Sequence, residues 1–341
     1  MSKLDIVPLD VHDPAMLDSW IDCSIACDEA NLPGLPPTSP IMLRARALHY
    51  SDHSWTERHV AVDGGRVVGL MAMRRDLVNN TDKVAVGLTV HPECRRHGIG
   101  SALYDVAEAR ARDEGVSAVW AGFPDEYRNS PDVAVPGRDF AAARGFVLGL
   151  KAVRFVNDLT QTDERRLDEL YQEAASQSSE YDVVAFTRRV PDSLVSAFCR
   201  LKAAVLTDSP TGDLDVEGEN YSTDEWRKLE RETERMGELW LGVAALHRAS
   251  GALAGFSELE VLPGNENMAS QSDTIVDPAH RGRRLGLRLK IDLQRHLRSW
   301  RPQMRFISTF QAETNHHMIA INQKVGFQAH SSSMNMHKKL K

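Results

Sequence analysis

VHPECRRHGIGSAL, residues Val90 to Leu103, is nearly repeated as VDPAHRGRRLGLRL, residues Val276 to Leu289. The register holds outside these stretches. Gly65 and Gly69 in GGRVVGL match Gly251 and Gly255 in SGALAGF at the same offset, and each loop is followed at similar distance by a Gly-Phe pair, Gly145-Phe146 and Gly326-Phe327. Self-similarity kept over a hairpin, a loop and a terminal motif, at so long a period, predicts tandem domains and not a solenoid.

Working outward, the 341 residues suffice for two cores of ordinary size. A 42% hydrophobic and 26% charged chain is that of a globular protein. Met1 to Asp10 lacks a basic segment leading into an apolar run, and no stretch is long and apolar enough to span a bilayer, so a cytoplasmic protein without a membrane partner is expected. The net charge of -7 argues against nucleic acid, while the basic cluster between His280 and Arg305 suits a phosphorylated small molecule. The cysteines, Cys23, Cys27, Cys94 and Cys199, have no zinc-site spacing and are too few to staple two domains, so neither a metal nor a disulfide framework is expected.

Periodicity predicts a helix from Asp13 to about Ala30, a loop over the Pro-rich stretch Pro33 to Pro40, a hairpin of Arg58 to Val62 and Val67 to Met73, and a strand Val84 to Val90 entering the first loop. A helix from Gly98 to Glu114, a strand Ala118 to Gly122, a short helix near Asp139 and a strand from Phe146 complete the first half. The second half repeats this after helices over Asp163 to Ser176 and Asp192 to Leu206, an acidic loop, and a capping box of Ser222 and Glu225. The expected fold is α/β: two tandem domains, residues 1–157 and 158–341, each a mixed central sheet flanked by helices.

Arg95 to Gly100 fits Arg/Gln-x-x-Gly-x-Gly/Ala between a strand and a helix. Gly98 and Gly100 clear the backbone's approach, the helix N-terminal amides form an anion site, and Arg95 and Arg96 add charge-assisted donors, so pyrophosphate is the natural occupant. No GxxxxGK[ST] is present, and no GxGxxG follows a first strand, which disfavours the P-loop and dinucleotide folds.

On these motifs both halves resemble the GNAT superfamily of acyl-CoA-dependent N-acetyltransferases, and the tandem arrangement is similar to mycothiol synthase and related two-domain acetyltransferases. The resemblance covers nearly the whole chain. It implies acetyl-CoA as acyl donor, with Leu88 and Val90 in one domain and Thr274 and Val276 in the other along pantetheine. It also implies that Arg95, Arg96, His97, Gly98, Ile99, Gly100 and Ser101, and in turn Arg281, Gly282, Arg283, Arg284, Leu285, Gly286 and Leu287, wrap the pyrophosphate. Asn315 stands where the family has an Asn on the cofactor arm. Arg284 replaces the first glycine of the loop; a helix start is expected to need no positive φ there.

The family's general acid is a Tyr five positions before the Phe of the Gly-Phe pair; here those positions are Ala141 and Asn322. Asn322 retains a hydrogen-bond donor for sulfur and Ala141 has none, which favours catalysis in the second domain. An amine nucleophile needs a base, for which Glu258, Glu260 and Asp273 are the candidates. Glu258 and Glu260 share a strand face, and Asp273 needs a strand bulge to turn inward. The acidic stretch Asp213, Asp215, Glu217 and Glu219, with His316 and His317, borders the expected acceptor cleft. The reading is direct transfer of acetyl to the primary amine of a small molecule by a monomer or homodimer; the alternative is a non-catalytic acyl-CoA-binding or sensing protein.

Overall fold

The computed structural model describes residues 4–127, 135, 137–208, 210–215, 218 and 220–340, in two units. The first comprises residues 1–151, 212–216 and 332–341, and the second residues 152–211 and 217–331.

The first unit begins with β1 (Asp5–Pro8) and α1 (Pro14–Asn31), whose first turn is capped by the Asp13 carboxylate accepting from the Ala15 and Met16 amides. A second helix, α2 (Pro40–Leu48), ends the Pro-rich loop one residue earlier than expected: Ser39 caps it, and Pro40 occupies the first helical position, where its missing N–H has no partner to lose. The hairpin β2 (Ser54–Asp63) and β3 (Arg66–Asp76) turns at Gly64 and Gly65, both left-handed at φ 59° and 83°. Then follow β4 (Lys83–Val90), α3 (Ile99–Asp113), β5 (Ala118–Tyr127) and α4 (Gly137–Ala143). The sheet runs β1-β2-β3-β4-β5, antiparallel except for β4 and β5. One face is packed by α3 through Ile99, Leu103, Ala107 and Ala111, a four-residue stripe, and the other by α1 and α2.

The chain passes to the second unit within β6 (Val147–Asp158). There it continues as α5 (Glu164–Gln177), β7 (Tyr181–Thr187), α6 (Val195–Asp208), α7 (Thr223–Arg235), β8 (Leu239–His247), β9 (Leu253–Val261), β10 (Met268–Val276), α8 (Leu285–Trp300), β11 (Phe306–Ala312), α9 (His316–Lys324) and β12 (Gln328–Lys339). The order β7-β8-β9-β10-β11 repeats the first sheet, again with one parallel pair, β10 and β11. Helices α5 and α8 cover one face and α6 and α7 the other. The capping box at Ser222 forms, with Glu225 returning a bond to the Ser222 amide.

Residues 152–158 of β6, at the end of the first half in sequence, pair antiparallel with β11 in the second unit. Residues 332–339 of β12 belong to the first unit, where Met334 and Met336 enter the α3 core and Leu340 N donates to Ser117 O (2.8 Å). Residues 212–216 also cluster with the first unit: Asp213 N donates to Gly149 O (2.9 Å) and Asp215 approaches Lys83 at 3.7 Å. The acidic pair Asp213 and Asp215 thus lies with the first half's fold. Glu217 and Glu219 fall outside the described residues.

Candidate functional site

Each strand-to-helix loop builds the same cradle. Arg95 Nε donates to Val90 O (3.2 Å) and Arg281 Nε to Val276 O (3.0 Å), so the same arginine in each copy ties the loop back to the end of its strand. Two positions are left-handed in both copies: Arg96 (φ 67°) with Gly282 (81°), and Gly98 (80°) with Arg284 (55°). The Arg284 position does require positive φ, contrary to the sequence expectation; without it the chain could not turn its amides into the helix entrance. A non-glycine residue there carries about 1 kcal/mol of strain. The Arg284 guanidinium pairs with Glu173 at 2.8 Å.

In front of each helix start lies a cavity, about 510 Å³ in the first unit and about 680 Å³ in the second. Of Arg95 to Ser101 all but His97 line the first, together with Leu88 and Val90; His97 is exposed, its ring nitrogen 3.3 Å from Cys94 O. Of Arg281 to Leu287 all but Arg283 line the second, together with Thr274, Val276 and Asn315; Arg283 donates to Ala279 O (3.4 Å). A methyl added at Gly100 or Gly286 would come no nearer to any protein atom than 3.4 and 3.7 Å, so these glycines are not demanded by protein packing. They leave open the space where phosphate oxygens would meet the helix amides, and this donor set fits a pyrophosphate.

The strands open beside both cavities. Pairing of β4 with β5 runs from Lys83 to Ala85 and stops; pairing of β10 with β11 runs from Met268 to Ser270 and stops. Beyond these points, among the described residues, β4 and β10 form no further ladder with β5 and β11, and apart from the Val90 and Val276 carbonyls held by Arg95 and Arg281 that edge is open to an extended ligand with amides of its own.

On their other edge the two strands differ. Strand β4 pairs with β3 without a break from Ala85 to Val90. Strand β10 carries a bulge between Gln271 and Thr274, opposite Glu258. The bulge provides the turn that Asp273 needs. Lys202, on α6, donates to Asp273 Oδ2 (2.5 Å) and also to Glu258 Oε1. Glu258 is 1% exposed, and its Oε2 has no hydrogen-bond partner among the described residues. Burial pushes the Glu258 carboxyl up to about 7, with Lys202 acting against that rise. Burial works to lower Lys202, yet the two carboxylates hold it well above the ordinary lysine value. Glu260 lies two residues along the same face, opposite Ser270, outside this bridge. At the equivalent places in the first unit stand Ala72 and Gly87, paired with each other.

The remaining candidates sit around α9. Asn315 caps it, its Oδ1 accepting from Met318 N (3.2 Å), and His317 lines the second cavity. The amides of Phe146 and Phe327 donate to Ala141 O and Asn322 O, each at 3.0 Å, so the counted-back positions are equivalent in space. Both are fully buried, and among the described residues both amide atoms of Asn322 lack hydrogen-bond partners.

Sequence reasoning missed Lys202. Its signal was a lysine on the buried stripe of α6, four residues beyond Phe198. Among the described residues no group of His, Cys, Asp or Glu is arranged to hold a metal ion, and no helix is long and apolar enough to cross a membrane.

Residues 20–134 match the family model of the acetyltransferase (GNAT) family. A tandem GNAT protein from the clavulanic acid biosynthesis pathway, solved without AcCoA, superposes with a TM-score of 0.81 at 26% identity, covering 99% of this chain and 98% of that one. A GCN5-related N-acetyltransferase from Sphaerobacter thermophilus superposes with a TM-score of 0.68 at 14% identity, covering 98% and 95%. No curated protein matches this sequence.

Proposed function

We propose, from the match of residues 20–134 to the acetyltransferase (GNAT) family and the likeness of the whole chain to a tandem GNAT protein, that its second unit moves acetyl from acetyl-CoA to the primary amine of a small molecule by direct attack. The observation that carries this reading is the Glu258–Lys202–Asp273 bridge at the bulge of β10, beside an open strand edge and a pyrophosphate cradle.

Acetyl-CoA supplies the activated thioester. The loop Arg281 to Leu287 holds its phosphates, and the free edge of β10 around Thr274 and Val276 takes its amide-bearing arm. Asp273, the more exposed member of the bridge, meets the incoming amine and draws off its proton. Glu258, with a pKa near neutrality, is matched to hold that proton at working pH. Lys202 keeps the two carboxylates together without mutual repulsion. Backbone amides of the segment Asp273 to Val276, in which Asp273 lies at the bulge and Thr274 to Val276 pair with β9 on the other edge, stabilise the negative charge that develops on the carbonyl oxygen.

A second reading applies to the first unit. It has the cradle and the open strand, but Ala72, Gly87 and Ala141 stand where base and acid would be. We propose that it binds acyl-CoA without turning it over.

The test is CoA release with a panel of small amines, comparing the intact protein with Asp273→Asn and Glu258→Gln. Loss of roughly 10²–10⁴-fold in kcat is expected for removal of a general base. Full activity in both variants, or acetyl transfer to proteins but to no free amine, would overturn the assignment.

A further inference from the structure

Lys290 lies within α8 at 1% exposure. Among the described residues its ammonium makes no hydrogen bond or ion pair; the Phe327 ring lies 5.6 Å from Nζ. A bare buried ammonium is costly, and an aliphatic side chain would serve packing better. Lys290 stands one turn beyond Gly286 and one turn before Gln294, so the three form a row on one helix face.

That row leads inward from the pyrophosphate cradle. A methyl on Gly286 would meet Ile321 at 3.7 Å, and Gln294 Nε2 donates to Val325 O (3.2 Å). These contacts bracket Asn322, whose amide atoms are both unpaired, as is Gln294 Oε1. Across from α8, Ser257 hydrogen-bonds to both Thr274 (2.7 Å) and Gln271 (2.9 Å), so the strands at the bulge present polar groups as well. Burial lowers the Lys290 pKa to about 7, with Asp273 the charge that opposes the shift.

We propose that Lys290 replaces the missing phenol as the acid of this site, protonating the CoA sulfur as it departs. The inference rests on the amine-transfer reading above. As the amine nitrogen bonds to the carbonyl carbon, the C–S bond breaks and its electron pair goes to sulfur. Lys290 gives sulfur a proton and becomes neutral. The proton lost by the amine is held on the Glu258–Lys202–Asp273 bridge, and its return to Lys290 restores the site. The net transfer is one proton from nitrogen to sulfur and one acetyl from sulfur to nitrogen. Asn322 donates a hydrogen bond to the same sulfur without supplying a proton.

The experiment uses the full chain with free CoA as the probe. The pKa of the bound thiol is followed through the ultraviolet absorbance of the thiolate. In the wild type it should fall below the free value of about 8.5, and Lys290→Met should raise it by about 1 or more. Lys290→Arg separates charge from acidity, since a guanidinium stabilises thiolate but does not release a proton. It should keep the lowered thiol pKa while kcat for amine acetylation stays reduced by roughly 10²–10⁴-fold, with KM for acetyl-CoA little changed. Equal thiol pKa in wild type and Lys290→Met, full turnover in Lys290→Arg, or acetyl found covalently on Lys290 would each overturn the proposal. If no amine supports turnover even in the wild type, the amine-transfer reading fails, and the thiol titration still decides the placement of Lys290.

Discussion

In the first unit β4 lies against β3 in unbroken register, and the pair facing the end of the proposed donor arm is Ala72 with Gly87. In the second unit one extra residue bends β10, and the equivalent positions hold Glu258 and Asp273, bridged by Lys202 from α6. The cradles differ far less: the same arginine ties back each loop, the same two positions are left-handed, and the same helix start faces open space. A fold that binds a phosphorylated ligand through backbone geometry tolerates divergence of side chains elsewhere. Chemistry, in contrast, requires charged groups that are costly to bury and easily lost once selection relaxes. The α8 position of Lys290 is Tyr104 in α3, boxed between the Phe140 and Phe146 rings with centroids at 6.0 and 5.5 Å, an arrangement that serves the core.

Breaking the bridge should have the largest effect. Lys202→Met leaves two carboxylates facing each other, one of them buried, and should cost about 3–5 kcal/mol in denaturant unfolding as well as activity. Ala72→Glu, which places a carboxylate at the first unit's counterpart of Glu258 opposite Gly87, should not by itself create turnover there.

The pH dependence sharpens the contrast. Glu258 must be ionised to accept a proton, so kcat/KM should rise through an apparent pKa near 7, and Glu258→Gln should abolish that limb along with most of the rate. Lys290 acts on stability in a separate window. Its folded pKa is lowered to about 7 from 10.5, so between these values the unfolded chain binds the extra proton and stability rises with pH. Lys290→Met should be the more stable protein near pH 7 and should lose that rise, as read by thermal melts across the window.

The smallest expected effect is in the loops. Arg284→Gly removes left-handed strain at the loss of a partly exposed ion pair with Glu173, for a gain of about 1 kcal/mol or less, whereas Gly98→Ala introduces similar strain in the other copy.

Much of this was legible in the sequence because repetition supplies its own control. The two loops, the hairpin glycines and the Gly-Phe pairs located strand, cradle and helix in both halves, and period-2 spacing put Glu258 on a shared face with Glu260. Lys202 was hidden because its partners lie far along the chain, and only the packing of α6 over β9 and β10 joins them. Lys290 was hidden for another reason: a Lys and a Gln one turn apart on a helix read as a solvated face until burial is known. The left-handed turn at Arg284 was missed because Arg is a poor predictor of positive φ. The passage of the chain within β6 and β12 left no local mark, since each strand's alternation is the same whichever sheet receives it.

The central claim is that two cradles bind and one transfers. Calorimetric titration of acetyl-CoA, paired with CoA release, into wild type, Gly100→Asp and Gly286→Asp tests it most directly, because each carboxylate is set against one pyrophosphate site. The account predicts two binding events in the wild type, one in each variant, and turnover lost in Gly286→Asp alone. Turnover lost in Gly100→Asp but kept in Gly286→Asp would contradict it.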